Sequence, residues 1–181
     1  MKTFALILLA AAAAAAGCAP SATAGSGSAT PDATATLKDS FGNVLGTAQL
    51  TQAVGGVHLV VDVNGVAPGK HGIHFHETGT CTPPSFTSAG GHFNPDSKHH
   101  GLENTAGPHA GDLPNLEVGG DGVGHLDVTT DRISLNGAIG NLFDADGTAL
   151  VLHAGPDDQK SDPSGNSGAR IACGAVTRAG T

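Results

Sequence analysis

Val57-His58-Leu59-Val60-Val61-Asp62-Val63 is the stretch on which the fold turns. In an extended chain Val57, Leu59, Val61 and Val63 share one face, and His58, Val60 and Asp62 share the other. That pattern is a strand with one face in a core. Outward from it, similar short runs recur at Ala35–Leu37, Val44–Leu50, Ile73–His76, Val123–Val128, Ile133–Leu135, Ala149–His153 and Ile171–Val176. Turn signals separate them: Gly42-Asn43, Asn64-Gly65, Pro68-Gly69, Gly119 to Gly122, Asn136-Gly137 and Asp146-Gly147. Helical periodicity is almost absent, and 28 glycines in 181 residues favour turns and short strands. The expectation is an all-β domain of about eight antiparallel strands, a sandwich or flattened barrel. Residues 78–112 and 154–169 break the rhythm with Gly, Pro, His and polar residues. Structureless stretches of that length carry function or are held by a constraint.

The amino-terminal segment reads differently. Lys2 precedes an unbroken apolar run, Phe4 to Ala16, too short for a membrane span with ordinary flanks. Residues 1–17 are expected to be a signal peptide. Ala15-Ala16-Gly17-Cys18 resembles a bacterial lipoprotein processing site, with Cys18 as the lipidated residue. The alternative is ordinary secretory cleavage near Gly17. Residues 18–33, rich in Ala, Ser, Thr, Gly and Pro, read as a flexible tether, which leaves 34–181 as one domain. Lipidation of Cys18 would also settle the odd cysteine count. It leaves Cys81 and Cys173 as a pair in an oxidising compartment. Such a bridge closes a loop of about ninety residues, worth roughly 4–5 kcal/mol in the chain-entropy treatment. The expected location is the cell envelope, periplasmic or membrane-anchored on the extracytoplasmic side. The net charge of −8, and −9 once Lys2 is removed, offers no basic stripe for nucleic acid. Membrane association would have to come from the lipid.

Ten histidines in a chain without Trp or Tyr point to metal. His74 and His76 alternate in a strand-like run, so their imidazoles share a face and can meet one ion. Neutral imidazoles suit copper, zinc, iron or nickel, and four nitrogens in a near-planar set suit Cu(II). His109 and Asp112 lie three apart. With His100 and one more nitrogen they make a three-nitrogen, one-oxygen set suited to tetrahedral zinc, closed and therefore structural.

Four motifs occur in order: Gly69-Lys70-His71-Gly72-Ile73-His74-Phe75-His76, Gly91-His92-Phe93-Asn94-Pro95, His109-Ala110-Gly111-Asp112-Leu113 and Gly168-Ala169-Arg170-Ile171-Ala172-Cys173-Gly174. Together they resemble the copper–zinc superoxide dismutases over about residues 34–178. The resemblance implies a Greek-key β-sandwich with two long functional loops. It implies copper on His74, His76, His92 and His153, and zinc on His92, His100, His109 and Asp112, with His92 shared. Asp157 would join a copper-side to a zinc-side histidine, and His71 would support the site without binding metal. Cys81–Cys173 matches the family disulfide, and Arg170 the family's substrate-guiding arginine. The implied reaction turns two superoxide anions into dioxygen and hydrogen peroxide through a Cu(II)/Cu(I) couple, with His92 delivering a proton. A non-catalytic copper- and zinc-binding envelope lipoprotein is the alternative. Family members dimerise through different surfaces, and the sequence leaves open whether this chain forms a homodimer.

Other residues are expected to stand apart. Counting from His92 favours His100 over His99 as the inward residue. His58 and His125 should face solvent, and Asp144-Ala145-Asp146-Gly147 should be a hairpin turn rather than a calcium loop. Lys160 is the only lysine of the 154–169 loop, so its share in substrate guidance beside Arg170 is open.

Overall fold

The computed structural model describes Met1 and residues 30–180. Apart from Met1, the segment expected to be a signal peptide, the expected tether up to residue 29 and Cys18 lie outside the described residues. Ten strands form the domain: β1 (Ala33–Lys38), β2 (Val44–Ala53), β3 (Gly56–Val63), β4 (Gly69–His71), β5 (Ile73–His76), β6 (Leu116–Val118), β7 (Gly124–Thr130), β8 (Ala149–His153), β9 (Arg170–Ala175) and β10 (Thr177–Arg178). A single 3-10 turn, Thr87–Ala89, is the helical content of the described residues.

β3 behaves as its alternation demands. Val57, Leu59, Val61 and Val63 are buried, while His58 and Asp62 point outward. The β2–β3 hairpin fixes this register, from Gly46 opposite Val63 to Ala53 opposite Gly56. Gly56 sits at φ 144°, and a Cβ there would run into the Thr130 carbonyl, so the hairpin needs glycine at that position.

All pairings are antiparallel, in the order β4-β6-β7-β3-β2-β1-β9-β8-β5, with β10 on β1. The two ends of that order, β4 and β5, are consecutive in the chain and separated only by Gly72. Residues 69–76 are thus one segment that leaves one sheet edge and joins the other, which closes a flattened barrel and leaves no long free edge. At the switch Gly72 N–H donates to Gly155 O (2.9 Å), and His153 N–H donates to Gly72 O (2.8 Å). The connections β3–β4 and β5–β6 skip over neighbouring strands, as a Greek key requires.

Differences from the sequence reading are local. Ile133–Leu135 is not a strand; only an isolated bridge joins Ser134 to Asn141, although Ile133 and Leu135 are buried. β4, β6 and β10 have two or three residues each, too few for alternation to show.

Two strands are buried on both faces, and they carry the site. In β5, Ile73 and Phe75 enter the barrel core, while His74 and His76 lie outside the wall yet are also buried. In β8, Leu150 and Leu152 face the core, while Ala149 and Val151 pack under the β5–β6 loop against Phe86, Ala89 and Cys173. The loops 77–115 and 154–169 form this outer cover. Cys81–Cys173, with Cα atoms 5.6 Å apart, staples the first loop to β9.

Candidate metal centre and cleft

His74 and His76 project from β5, and His153 from the end of β8, held in register by the pairs His74–Val151 and His76–Ala149. His92 joins them from the loop through an isolated bridge between His76 and His92. One ligand-capable atom from each of these four histidines lies within 4.8 Å of the others. All four rings are buried, and one nitrogen of each is tied from behind. His74 Nε2 is 2.7 Å from Asp157 Oδ2, His76 Nδ1 3.0 Å from Gly90 O, His92 Nδ1 3.0 Å from Asp112 Oδ1, and His153 Nδ1 3.2 Å from Gly168 O. The remaining nitrogens are His74 Nδ1, His76 Nε2, His92 Nε2 and His153 Nε2. All are buried, and all lack a hydrogen-bond partner among the described residues. Four orphaned imidazole nitrogens in one place would be costly in a packed protein. They are the donor set a copper ion takes, so the residues fit that ion.

Electrostatics favour the metal-ready form. Burial lowers His76 to about 2, aided by repulsion from His92. It lowers His74 to about 3 despite the bond to Asp157, and His153 to about 4 despite the bond to Gly168 O. These rings are neutral at pH 7, as metal ligation requires.

A second cluster shares His92. Asp112 Oδ1 lies 3.0 Å from His92 Nδ1, 3.0 Å from His100 Nδ1 and 3.3 Å from His109 Nδ1, and the last is 3.4 Å from His92 Nδ1. Zinc bonded tetrahedrally at 2.0–2.1 Å places its ligands roughly 3.3 Å apart. The edges of this cluster match that figure, and three nitrogens with one carboxylate oxygen are a closed zinc set. Asp112 is fully buried, and its other oxygen accepts N–H bonds from Gly101 (2.8 Å) and His109 (2.9 Å). Burial opposes its charge, but the bonds from His100, His109 and His92 prevail and hold the carboxyl far below its usual range. His100 is raised to about 9: burial lowers it, and the bonds to Asp112 and Asp157 outweigh that.

Asp157 connects the two clusters. Its Oδ2 meets His74 Nε2, and its Oδ1 accepts from His100 Nε2 (3.0 Å) and the Gln159 N–H (2.6 Å). The Asn115 side chain clamps the Asp157 backbone from both sides, at 2.8 Å each. Gly165, at φ 60°, leaves room for the carboxylate; a Cβ there would collide with Asp157 Oδ1 and His100 Nε2.

Three of the copper-side histidines, His76, His92 and His153, open on a cleft of about 560 Å³. Arg170 lies on its wall, its guanidinium donating to Phe86 O (2.7 Å) and Gly90 O (2.6 Å).

Comparison with known proteins gives one answer. The family model described as copper/zinc superoxide dismutase (SODC) matches residues 44–176. The chain belongs to the copper/zinc superoxide dismutase family. It is 47% identical to a Cu-Zn superoxide dismutase of Aquifex aeolicus over 144 residues, covering 78% of this chain and 84% of that one. A Cu-Zn superoxide dismutase of Caulobacter vibrioides is 43% identical over 147 residues, 80% and 84% of the two chains. Among solved structures, the Cu/Zn superoxide dismutase from Brucella abortus superposes with a TM-score of 0.67 at 30% identity, over 80% of this chain and 98% of that one.

As a dismutase-family chain it brings together the residues grouped from the sequence and leaves the others out. His100 is buried, whereas the His99 side chain is 61% exposed. His71 stays outside both clusters, its ring nitrogens each 2.8 Å from a carbonyl, of His153 and of Ala67. His58 and His125 lie on the outer barrel face beside Asp127 and Asp62. Gly147 N–H donates to Asp144 O, closing a turn. Lys160 turns away from the cleft into an ion pair with Glu103 (2.8 Å). The lysine that does line the cleft is Lys98, which the sequence reading passed over. Its signal was the loop Asn94–Lys98, where Asn94 receives the Lys98 N–H (3.0 Å) and donates to Lys98 O (2.9 Å). Asn115 and Asp162 were also missed, and no periodicity marks either.

Proposed function

We propose that this chain removes superoxide by dismutation, with copper held by His74, His76, His92 and His153 and zinc held by His92, His100, His109 and Asp112. The observation that carries the assignment is the set of four buried, unpartnered imidazole nitrogens beside an open cleft. Bound copper supplies a one-electron couple, so that two superoxide anions and two protons become dioxygen and hydrogen peroxide. The chain's own residues do the rest. Arg170 and Lys98 place positive charge on the cleft wall against the carboxylates of Glu77 and Asp162, and the two bound cations would tip that balance toward a small anion in a protein of net charge −8. The Gly90 carbonyl, accepting from both His76 Nδ1 and Arg170, fixes guanidinium and imidazole relative to each other. His92 Nε2, at the cleft, is the atom positioned to hold a proton for the departing peroxide. The zinc set admits no water among its four protein donors and serves to hold the loop and His92 in place.

Around this activity we place an export signal over residues 1–17, a lipid anchor on Cys18, an extracytoplasmic setting in the envelope and self-association as a homodimer. The Cys81–Cys173 disulfide supports an oxidising compartment. The alternative, a metal-holding lipoprotein without turnover, has no use for a guanidinium held at the cleft wall.

The test is a pair of variants reloaded with both metals. His153→Ala should lose one copper and nearly all superoxide decay while keeping zinc. His109→Ala should lose zinc. Copper retained in His153→Ala, with decay unchanged, would remove His153 and the assigned set.

A further inference from the structure

Each imidazole of the zinc-side cluster turns one nitrogen toward Asp112 and leaves the other to be held from behind. His92 Nε2 belongs to the copper-side set, and His100 Nε2 meets Asp157. Among the described residues His109 Nε2 has no hydrogen-bond partner; the carboxylate facing it is Asp162, whose Oδ1 lies 3.8 Å away. That same oxygen accepts the main-chain N–H of His100 at 2.6 Å, and Asp162 Oδ2 is 3.6 Å from His99 Nδ1. One side chain of the 154–169 loop therefore reaches the His109 imidazole and the His100 main chain.

We propose that Asp162 is a positioning residue for zinc, clamping the His100 backbone and completing the support of His109 across the seam between the two loops. This rests on the zinc assignment above. The 2.6 Å bond from an N–H to a carboxylate is short and charge-assisted. It fixes the His100 main chain while Asp157 fixes the ring, which leaves Nδ1 aimed at Asp112. A cation at His109 Nδ1 strengthens Nε2–H as a donor. A carboxylate at 3.8 Å is then reached by a small side-chain rotation or through one water. The effect falls on one metal for a topological reason. His74, His76 and His153 ride on strands and Asp112 is bridged to His74, whereas His100 and His109 sit in irregular loop and depend on such clamps.

The test measures zinc and copper affinities separately, by competition with chromophoric chelators, on the metal-free protein and four variants. Asp162→Ala should weaken zinc about 10–100-fold and leave copper nearly unchanged. Asp162→Asn keeps an acceptor for the His100 N–H without the charge, and should weaken zinc by roughly tenfold or less. Glu103→Gln breaks the Lys160 ion pair on the same seam without touching the cluster, and should leave zinc affinity at the parent value. Asp162→Ala binding zinc as the parent does, or losing both metals equally, overturns the role of Asp162 alone. A parent that binds zinc no better than His109→Ala overturns it together with the zinc assignment.

Discussion

Replacing Arg170 by alanine removes a fixed positive charge from the cleft wall without touching a metal-side histidine. The guanidinium is held by Phe86 O at 2.7 Å and Gly90 O at 2.6 Å, one carbonyl away from His76. At roughly 5 Å from an arriving monoanion, the attraction is about 3 kcal/mol for an effective dielectric of 20 and about 0.8 kcal/mol in bulk water. The cleft is open on one side and Arg170 is half-buried, so a middle value of about 1.4–2 kcal/mol applies, a roughly 10–30-fold slower reaction. The deficit should shrink as salt rises, because exposed charges are screened beyond about 10 Å at 0.1 M ionic strength. Arg170→Lys should fall between, since one ammonium cannot span both carbonyls as the planar fork does. The assay is the decay of pulse-generated superoxide at low and high ionic strength, with copper and zinc content measured on the same samples. An unchanged low-salt rate in fully metallated Arg170→Ala would refute the reasoning. An equal loss at low and high salt would assign the effect to packing instead of charge.

Asp157→Asn offers one acceptor where His74 and His100 both need one; His74 is fixed in β5 and His100 is on a loop, so chelator competition should show zinc weakened by about 10–100-fold and copper much less. Cys173→Ser opens a loop spanning 92 positions and should cost the metal-free protein about 4–5 kcal/mol in urea unfolding; a loss under about 1 kcal/mol would contradict the staple. The metal-free protein should also lose stability on acidification. His153, His74 and His76 are lowered to about 4, 3 and 2, so the unfolded chain takes up their protons first, from about pH 6.5 downward, at about 1.4 kcal/mol per pH unit for each ring. His100, raised to about 9, works in the opposite sense, and its contribution is lost as pH rises from about 6.5 through 9. Denaturant midpoints across pH should therefore peak near pH 6–7; a flat profile below that would mean the copper-side rings are not buried neutral.

Much of this arrangement was legible because period-two patterns survive in the strands. β3 announces its buried face through Val57, Leu59, Val61 and Val63, and the His74–His76 alternation names a shared face before any contact is known. The same rule failed at β4 and β6, where three residues show no period, and at Ile133–Leu135, where apolar residues are buried without pairing. Burial on both faces of β5 and β8 was not visible either, because it depends on loops folding over the barrel. For the same reason Lys98 and Lys160 could not be told apart: one ends at the cleft and the other at Glu103, and only the path of the loops decides. Asp162 carries no motif, since its importance lies in reaching the His100 amide 62 residues away.

The most direct measurement is a titration of Cu(II) into the zinc-loaded protein, following superoxide decay at each addition. Decay that rises linearly and stops rising at one copper per chain is the expected result. Saturation of copper binding at one ion per chain, with superoxide disappearing no faster than in its absence, would contradict dismutation by this site.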